Sequence, residues 1–317
     1  MLPPLPQQSH YTFARVSPAN LIDLQGIFKA AFGAAPDFES LQHKFNTKAF
    51  GLYTVGYIAY DEAGMPAAYY GVFPVKVQIA GKIVLAAQSG DTMTHPLHQG
   101  RGLFTKLAKM TYSAAKEEGV ELIFGFPNEN SFPGFAKKLD WLFPSHLAKL
   151  KLISTTIPMS NLAASSYILA TIHRKWIRIV LTFYKKADSF SPKENGQNVV
   201  MHDRNFLEYK IGKTHQLLKI ENSTVWLSIS NNIYLGDVNL GPNDDINQIM
   251  GKIRNLSRWL MIPVIFYLGS EESMLAKGLI RQGAKCLKMP AGFLPLNPAI
   301  VIDENTLIFS GIDSDTF

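Results

Sequence analysis

Residues 53–94 set the tightest limit on how this chain can fold. In "YTVGYIAYDEAGMPAAYYGVFPVKVQIAGKIVLAAQSGDTMTHP", three runs rich in β-branched and aromatic residues (53–60, 67–79 and 83–94) are separated by short turns at 62–64 and 80–81. Such runs joined by Gly turns predict antiparallel strands. A helical pattern follows at 102–118, with Leu103, Leu107, Met110 and Ala114 on one face. A short apolar strand at 120–126, a helix at 131–139 and a strand at 147–153 come next. Upstream, a strand fits 11–16 and helices fit 20–32 and 38–45. The same order returns in the second half. Strands at 217–220, 224–230 and 233–238 precede a helix at 246–260, a strand at 264–268 and a helix at 272–282. The chain therefore reads as α/β, with a degenerate internal repeat of roughly 120 residues.

Composition narrows the function classes. With 317 residues, the chain is long enough for two compact domains. Its net charge of +6 weakly favours anionic ligands, but no dense Lys/Arg run points to nucleic acid. Cys286 is the single cysteine, which excludes an internal disulfide and fits a reducing cytoplasm. The start, "MLPPLPQQSH", lacks a basic, then apolar, leader pattern. No apolar run approaches the ~20 residues of a membrane span. No C-x-x-C or H-E-x-x-H spacing suggests a metal.

Between the halves, 161–186 reads as one long helix with Ile168, Ile172, Trp176, Ile179, Val180 and Phe183 on a face. Arg174, Lys175, Arg178, Lys185 and Lys186 lie mostly elsewhere. Two readings fit: a helix packed across two domains, or a basic amphipathic helix in peripheral contact with a membrane surface. Residues 191–198, "SPKENGQN", read as a polar linker.

The stretch "HPLHQGRGLFTKLAK" (95–109) carries the chemistry. A strand running through a Gly-rich turn into a helix leaves backbone N–H groups unpaired at the helix start. With the helix dipole, they form an anion site. Gly100 and Gly102 let the main chain approach an anion without a Cβ, and Arg101 adds charge. Neither a dinucleotide-binding G-x-G-x-x-G nor a P-loop is present.

Gln99-Gly100-Arg101-Gly102-Leu103-Phe104 resembles motif A of the GNAT superfamily of acyl-CoA N-acyltransferases, Q/R-x-x-G-x-G/A. "DTMTHP" before it is similar to the end of the family's fourth strand, and "FTKLAKMTYSAAKEEG" after it to the third helix. "LIFGFPNENSFPGFAKKLDW" resembles the fifth strand, the fourth helix and the ending beyond it. The resemblance is best over 50–145. Phe104 departs from it, because Gly or Ala is usual there.

The resemblance implies acetyl-CoA or another acyl-CoA as the cofactor. Backbone N–H groups of Arg101, Gly102, Leu103, Phe104 and Thr105 would hold its pyrophosphate. The edge of the fourth strand at Thr92, Met93 and Thr94 would meet the pantetheine, with an N–H of Met93 or Thr94 polarising the thioester carbonyl. Asn128 matches the family's asparagine after the fifth strand, which contacts the cofactor arm; an Asn beside Pro127 equally suits a turn. The family's strand-four glutamate aligns with Gly90, so Asp91 is the candidate base. The family's acid, a tyrosine on the fourth helix, has no counterpart in "PGFAKKL". His95, His98, Tyr69 and Tyr70 are further candidates near the cleft. Certain tandem relatives place their terminal carboxylate in the active site. The end "FSGIDSDTF" suggests the same for Phe317, Asp313 or Asp315.

In the second half, Asp244 and Asp245 occupy the place of the Gly-rich turn. They suit a helix N-terminus and would repel a pyrophosphate. The expectation is two GNAT-like domains, each a mixed, mostly antiparallel sheet flanked by helices. Residues 1–152 would bind acyl-CoA, 153–195 would connect, and 196–317 would form a degenerate domain that shapes the acceptor pocket. The activity expected is transfer of an acyl group to a small-molecule amine acceptor. An amino sugar or aminoglycoside is the first guess and a peptide amine the second. A non-catalytic CoA-binding module is the alternative.

Overall fold

The computed structural model describes residues 10–187, 190, 198–211, 214–303 and 306–314. In chain order the elements are β1 (Thr12–Arg15), α1 (Leu24–Phe32), α2 (Phe38–Phe45), β2 (Val55–Tyr60), β3 (Pro66–Ile79), β4 (Lys82–Thr94), α3 (Leu103–Glu117), β5 (Leu122–Gly125), α4 (Phe132–Lys138) and β6 (Leu142–Ile153). They continue with α5 (Met159–Ala163), α6 (Tyr167–Thr182), β7 (Val199–Val200), α7 (Arg204–Lys210), β8 (His215–Ile220), β9 (Ser223–Ile229) and β10 (Ile233–Asn239). The last are α8 (Ile246–Trp259), β11 (Val264–Ser270), α9 (Met274–Arg281) and β12 (Lys285–Pro295).

Two compact units form. The first holds 1–76, 84–143 and 292–302; the second holds 77–83, 144–291 and 303–317. They are therefore not the consecutive blocks 1–152 and 196–317 that the sequence suggested. The reason lies in strand pairing. β12 follows α9, yet its last residues, Gly292 to Pro295, pair antiparallel with β5. β6 follows α4, yet 147–153 pair antiparallel with β11.

In the first unit β1, β2 and β3 run antiparallel, β4 neighbours β3, and β4 and β5 are parallel across α3. Alternating side chains give the sheet two buried faces. On one face Tyr69, Phe73 and Met93 pack with Leu24, Ile27 and Phe45 of α1 and α2. On the other, Tyr70, Val72 and Ala87 pack with Leu103, Leu107, Phe135 and Trp141. Caps fix the helix ends: the Asp37 side chain accepts the Ser40 N–H at 2.9 Å, and Gly33 ends α1 at φ 82°.

The second unit repeats the order: β8, β9 and β10 antiparallel, then β11 parallel to β10 across α8. Its core joins the inner side of the sheet to α6, α8 and α9, with Val180, Ile253 and Leu279 buried. The helix expected over 161–186 is two helices, broken where Ser166 caps α6 by accepting the Leu169 N–H. Trp176 and Val180 turn inward, whereas Ile168, Ile172, Ile179 and Phe183 remain exposed. Among the described residues, no helix is long and apolar enough to cross a membrane.

Candidate active site

The parallel pair β4 and β5 forks. Its register covers only Ala86 to Gln88 against Leu122 to Phe124, and β5 ends at Gly125 while β4 runs on to Thr94. The β5-facing edge of β4 from Ser89 to Thr94 thus carries backbone groups beyond the reach of β5.

A backbone bend sits inside this stretch. Asp91 has φ 51°, a left-handed conformation that Asp and Asn adopt more readily than most residues. The bend changes which face odd-numbered residues meet. Ala87 belongs to the α3-side cluster, and Ser89 bonds Tyr70 of that cluster at 2.8 Å. Met93 is buried on the α1–α2 side. Asp91 also faces α2, where both carboxylate oxygens hold Lys44 at 2.8–2.9 Å.

At the base of the fork, Trp141 Nε1 donates to the Tyr112 hydroxyl at 3.0 Å. Tyr112 and Tyr70 hydroxyls are 2.7 Å apart, and Tyr70 reaches Ser89. Burial holds both phenols above their ordinary pKa. The sequence offered Tyr70 as a candidate near the cleft but not its partners, Tyr112 on α3 and Trp141, because nothing local marks a contact between residues so far apart in the chain. A Cβ on Gly292 would lie 2.7 Å from the Trp141 ring and one on Gly125 3.3 Å from it, and these glycines are paired partners in β5 and β12.

After β4 the chain turns through a short 3-10 helix, 96–98, to Gly100 (φ 75°) and Gly102 (φ 74°). A Cβ at either glycine would meet nothing within 4 Å, so the cradle is open. Lys106 N–H is the first to bond back, to the Gly102 carbonyl at 3.1 Å. Helix geometry therefore leaves the N–H groups of Leu103, Phe104 and Thr105 without helical acceptors, at the positive end of α3. These features fit a pyrophosphate.

The Phe104 ring, the departure from the family pattern, turns into the core. It meets Phe135 edge-on at 5.2 Å and Tyr70 at 5.7 Å. Gly134 makes room for it, since a Cβ there would lie 2.7 Å from the ring. Only the backbone of Phe104 is left at the anion site, so bulk at this position does not close it.

Tyr11 stitches the turn. Its hydroxyl lies 2.8 Å from His98 Nδ1 and accepts from Arg101 at 3.1 Å, and Arg101 also donates to the Leu97 carbonyl. Partial burial and then the nearby Arg101 charge depress the His98 pKa. His95 accepts the Leu97 N–H at 3.3 Å. Gln99 is exposed at the rim of the turn. Asn128 Oδ1 accepts from the N–H groups of Asn130 and Ser131, each at 3.0 Å, so it shapes the turn before α4. Phe135 is buried, and α4 brings no tyrosine to the site.

The second unit builds the same fork and fills it. Residues 309–313 lie against β10 and β11: Ser270 N–H donates to the Phe309 carbonyl at 2.9 Å, and Gly311 abuts the Leu235 and Gly236 carbonyls. Buried Asp313 pins the segment, with Oδ1 2.6 Å from His202 Nε2. Fully buried Asp237 lies 3.9 Å from His202 Nδ1. Asp313 is thus committed inside this unit. Asp315 and Phe317, including its terminal carboxylate, lie outside the described residues. At the start of α8, Asp245 is the cap, accepting the Asn247 and Gln248 N–H groups. Asp244 instead clips Asn222 and Ser223 in the β8–β9 turn. Among the described residues, no group of three or more metal-ligating side chains comes together.

A family model described as "Acetyltransferase (GNAT) domain" matches residues 15–143. No curated protein matches the chain. Among solved structures, it is similar to a probable N-acyltransferase from Enterococcus faecalis V583, at 12% identity and TM-score 0.62, over 91% of this chain and 73% of that one. It is also similar to a putative acetyltransferase from Pyrococcus horikoshii, at 14% identity and TM-score 0.56, over 95% and 93%. A third is the GCN5-related glucosamine N-acetyltransferase region of a fungal multi-domain β-N-acetylglucosaminidase, at 12% and TM-score 0.53, over 90% of this chain and 38% of that one. These likenesses show a shared fold. With the forked parallel strands and the Gly-rich turn that the matched segment contains, residues 15–143 form a domain of the GNAT superfamily, the acyl-CoA-dependent N-acyltransferases.

Proposed function

We propose that the first unit transfers an acyl group from acyl-CoA to a small polar amine of the amino-sugar type. The observation that carries this reading is the open edge of β4 beside the N-terminus of α3, with Gly100 and Gly102 forming the turn between them. The N–H groups of Leu103, Phe104 and Thr105 hold the pyrophosphate, with Arg101 beside them. The cofactor supplies the acyl group as a thioester.

Backbone alternation narrows the donor to the thioester carbonyl. His95 N–H donates to the Ala67 carbonyl of β3 at 2.8 Å, so the neighbouring Thr94 N–H faces the other, open edge. Thr94 rather than Met93 is then the oxyanion donor, and Thr92 faces the same edge. Asp91, turned towards α2 by the bend, is the proton acceptor for the amine, with Lys44 setting its position. The amino-sugar acceptor is supported by the similarity to the fungal glucosamine N-acetyltransferase region.

Calorimetry with acetyl-CoA on wild type and Gly102→Asp, followed by thiol release over a panel of amino sugars, aminoglycosides and peptide amines, tests the reading. A carboxylate at the cradle weakens CoA binding roughly tenfold or more while the fold survives. Equal affinity overturns the site assignment. The missing tyrosine on α4 favours a second reading, a CoA-binding module without turnover. Binding with no thiol release for any amine in the panel would select it.

A further inference from the structure

The helix α6 presents an apolar stripe that the second unit leaves uncovered. Ile168 is 71% exposed, Ile172 51%, Ile179 52% and Phe183 82%. Their spacing places them along one flank of the helix, between the inward face that buries His173 and Val180 and the outward face that carries Lys175 and Arg178. The inner side is firmly seated: His173 bonds the Leu260 carbonyl at 2.8 Å, and Trp176 donates to the Trp259 carbonyl at 2.7 Å. The stripe therefore cannot be buried by rolling the helix inward without breaking both contacts.

Charge identifies what covers the stripe. Arg174, Lys175 and Arg178 flank it, Lys185 and Lys186 follow it, and the sequence has no Asp or Glu between Asp140 and Asp188. Among the described residues, none of Arg174, Lys175 and Arg178 pairs with a carboxylate. Trp259 is also exposed where the end of α8 meets α6. Branched aliphatic side chains and Phe on a convex helix surface need hydrocarbon, while the cations beside them need phosphate. A bilayer surface with anionic lipids offers both within one side-chain length. A nucleic acid would leave the isoleucines wet, and an acidic peptide would need a groove that a convex helix does not supply. The helix has 16 residues, and no helix among the described residues is long and apolar enough to cross a bilayer, so any such contact is along its side.

We propose that α6 docks the protein on the surface of an anionic lipid bilayer, with Ile168, Ile172, Ile179 and Phe183 entering the acyl boundary and Arg174, Lys175 and Arg178 meeting the headgroup phosphates.

The test is co-sedimentation of the full chain with phosphatidylcholine vesicles that carry phosphatidylglycerol, and with vesicles of phosphatidylcholine alone. Binding is expected on the anionic vesicles and weakens as salt rises. The double variant Ile172→Asp, Phe183→Asp loses at least about tenfold in affinity. The triple variant Arg174→Gln, Lys175→Gln, Arg178→Gln loses about a hundredfold at low salt. Melting temperatures stay near wild type, because all five side chains are exposed. Absence of binding to either vesicle, or binding that the Asp variants leave intact, overturns the proposal. So does a wild type that is dimeric in solution and becomes monomeric in the Asp double variant, since the stripe would then be covered by a second copy.

Discussion

Lys44, in the last turn of α2, grips both carboxylate oxygens of Asp91, at 2.8 and 2.9 Å, across the bend in β4. Its ammonium also lies 5.2 Å from the centre of the Phe73 ring. The pair links the helices on one face of the first sheet to the strand that forks from β5.

Asp91→Asn separates the proposed catalytic role from the structural one. Asn tolerates the left-handed backbone and keeps the size of the side chain, so the fold and CoA affinity are expected to persist while turnover falls by roughly a hundredfold. Lys44→Met is expected to change turnover less and to move its pH profile, because it removes the positive charge beside the proposed base. Steady-state thiol release across pH, with calorimetry for CoA, reads both. Full turnover in Asp91→Asn removes the carboxylate from the chemistry.

Phe104 is expected to matter for stability and not for the anion. Phe104→Ala removes a ring packed on Phe135 and Tyr70 and should cost about 2 kcal/mol, less than a fully buried Phe because the residue is half-buried. Affinity for CoA in the folded variant should stay within about threefold of wild type, since the backbone N–H is kept. Urea unfolding and calorimetry together decide this.

Gly292→Ala puts a Cβ where the rings of Trp141 and Phe143 lie. The variant should lose roughly 1–3 kcal/mol, the usual cost of overpacking a filled core. Gly283→Ala controls for a general glycine effect: its Cβ would meet nothing within 4 Å, so any loss there comes from the left-handed backbone alone. Chemical denaturation that shows no loss for Gly292→Ala would place the ring contacts elsewhere.

Stability should fall with acid through His215. Burial, and then the charge of Lys210, depress its pKa to about 4. Between that value and the unfolded value of ~6.5, the unfolded chain binds a proton that the folded one does not. Folding is therefore opposed progressively as pH drops from ~6.5 towards 4, and the penalty is constant below. Unfolding free energies measured over this window should slope less steeply with pH in His215→Gln than in wild type.

The repeat was legible because strand and helix periods differ, and because Gly81, Gly100 and Gly102 punctuate the chain where turns must be. β12 was not legible. Pro290 and Gly292 argue against a strand, and the residue that justifies Gly292, Trp141, is far away in sequence. The Gly-rich turn announced the anion cradle. The fork beside it depends on where pairing stops, which no local pattern encodes. Asp91 became a candidate only as the neighbour of Gly90, which aligns with the family's glutamate, and the Lys44 that holds it could not be anticipated, since the pair spans 47 positions. Asp244 and Asp245 both suited a helix start in the sequence; Asp245 caps α8, while Asp244 is held by Asn222 and Ser223 of the β8–β9 turn, a partnership that no local pattern encodes.

The exchange of β6 and β12 sets a timetable for synthesis. As the chain leaves the ribosome, both strands of the fork and the Gly-rich turn are made by Gly125, yet the strand that pairs with the far edge of β5 is complete only at Pro295. Until then the β5 edge stays open, a surface on which a strand of another nascent chain can pair. Cutting the gene after the matched segment would make that interval permanent. A fragment ending at 143 should aggregate unless a peptide spanning 285–302 is supplied with it, so this enzyme acquires its first domain only when its second is nearly finished.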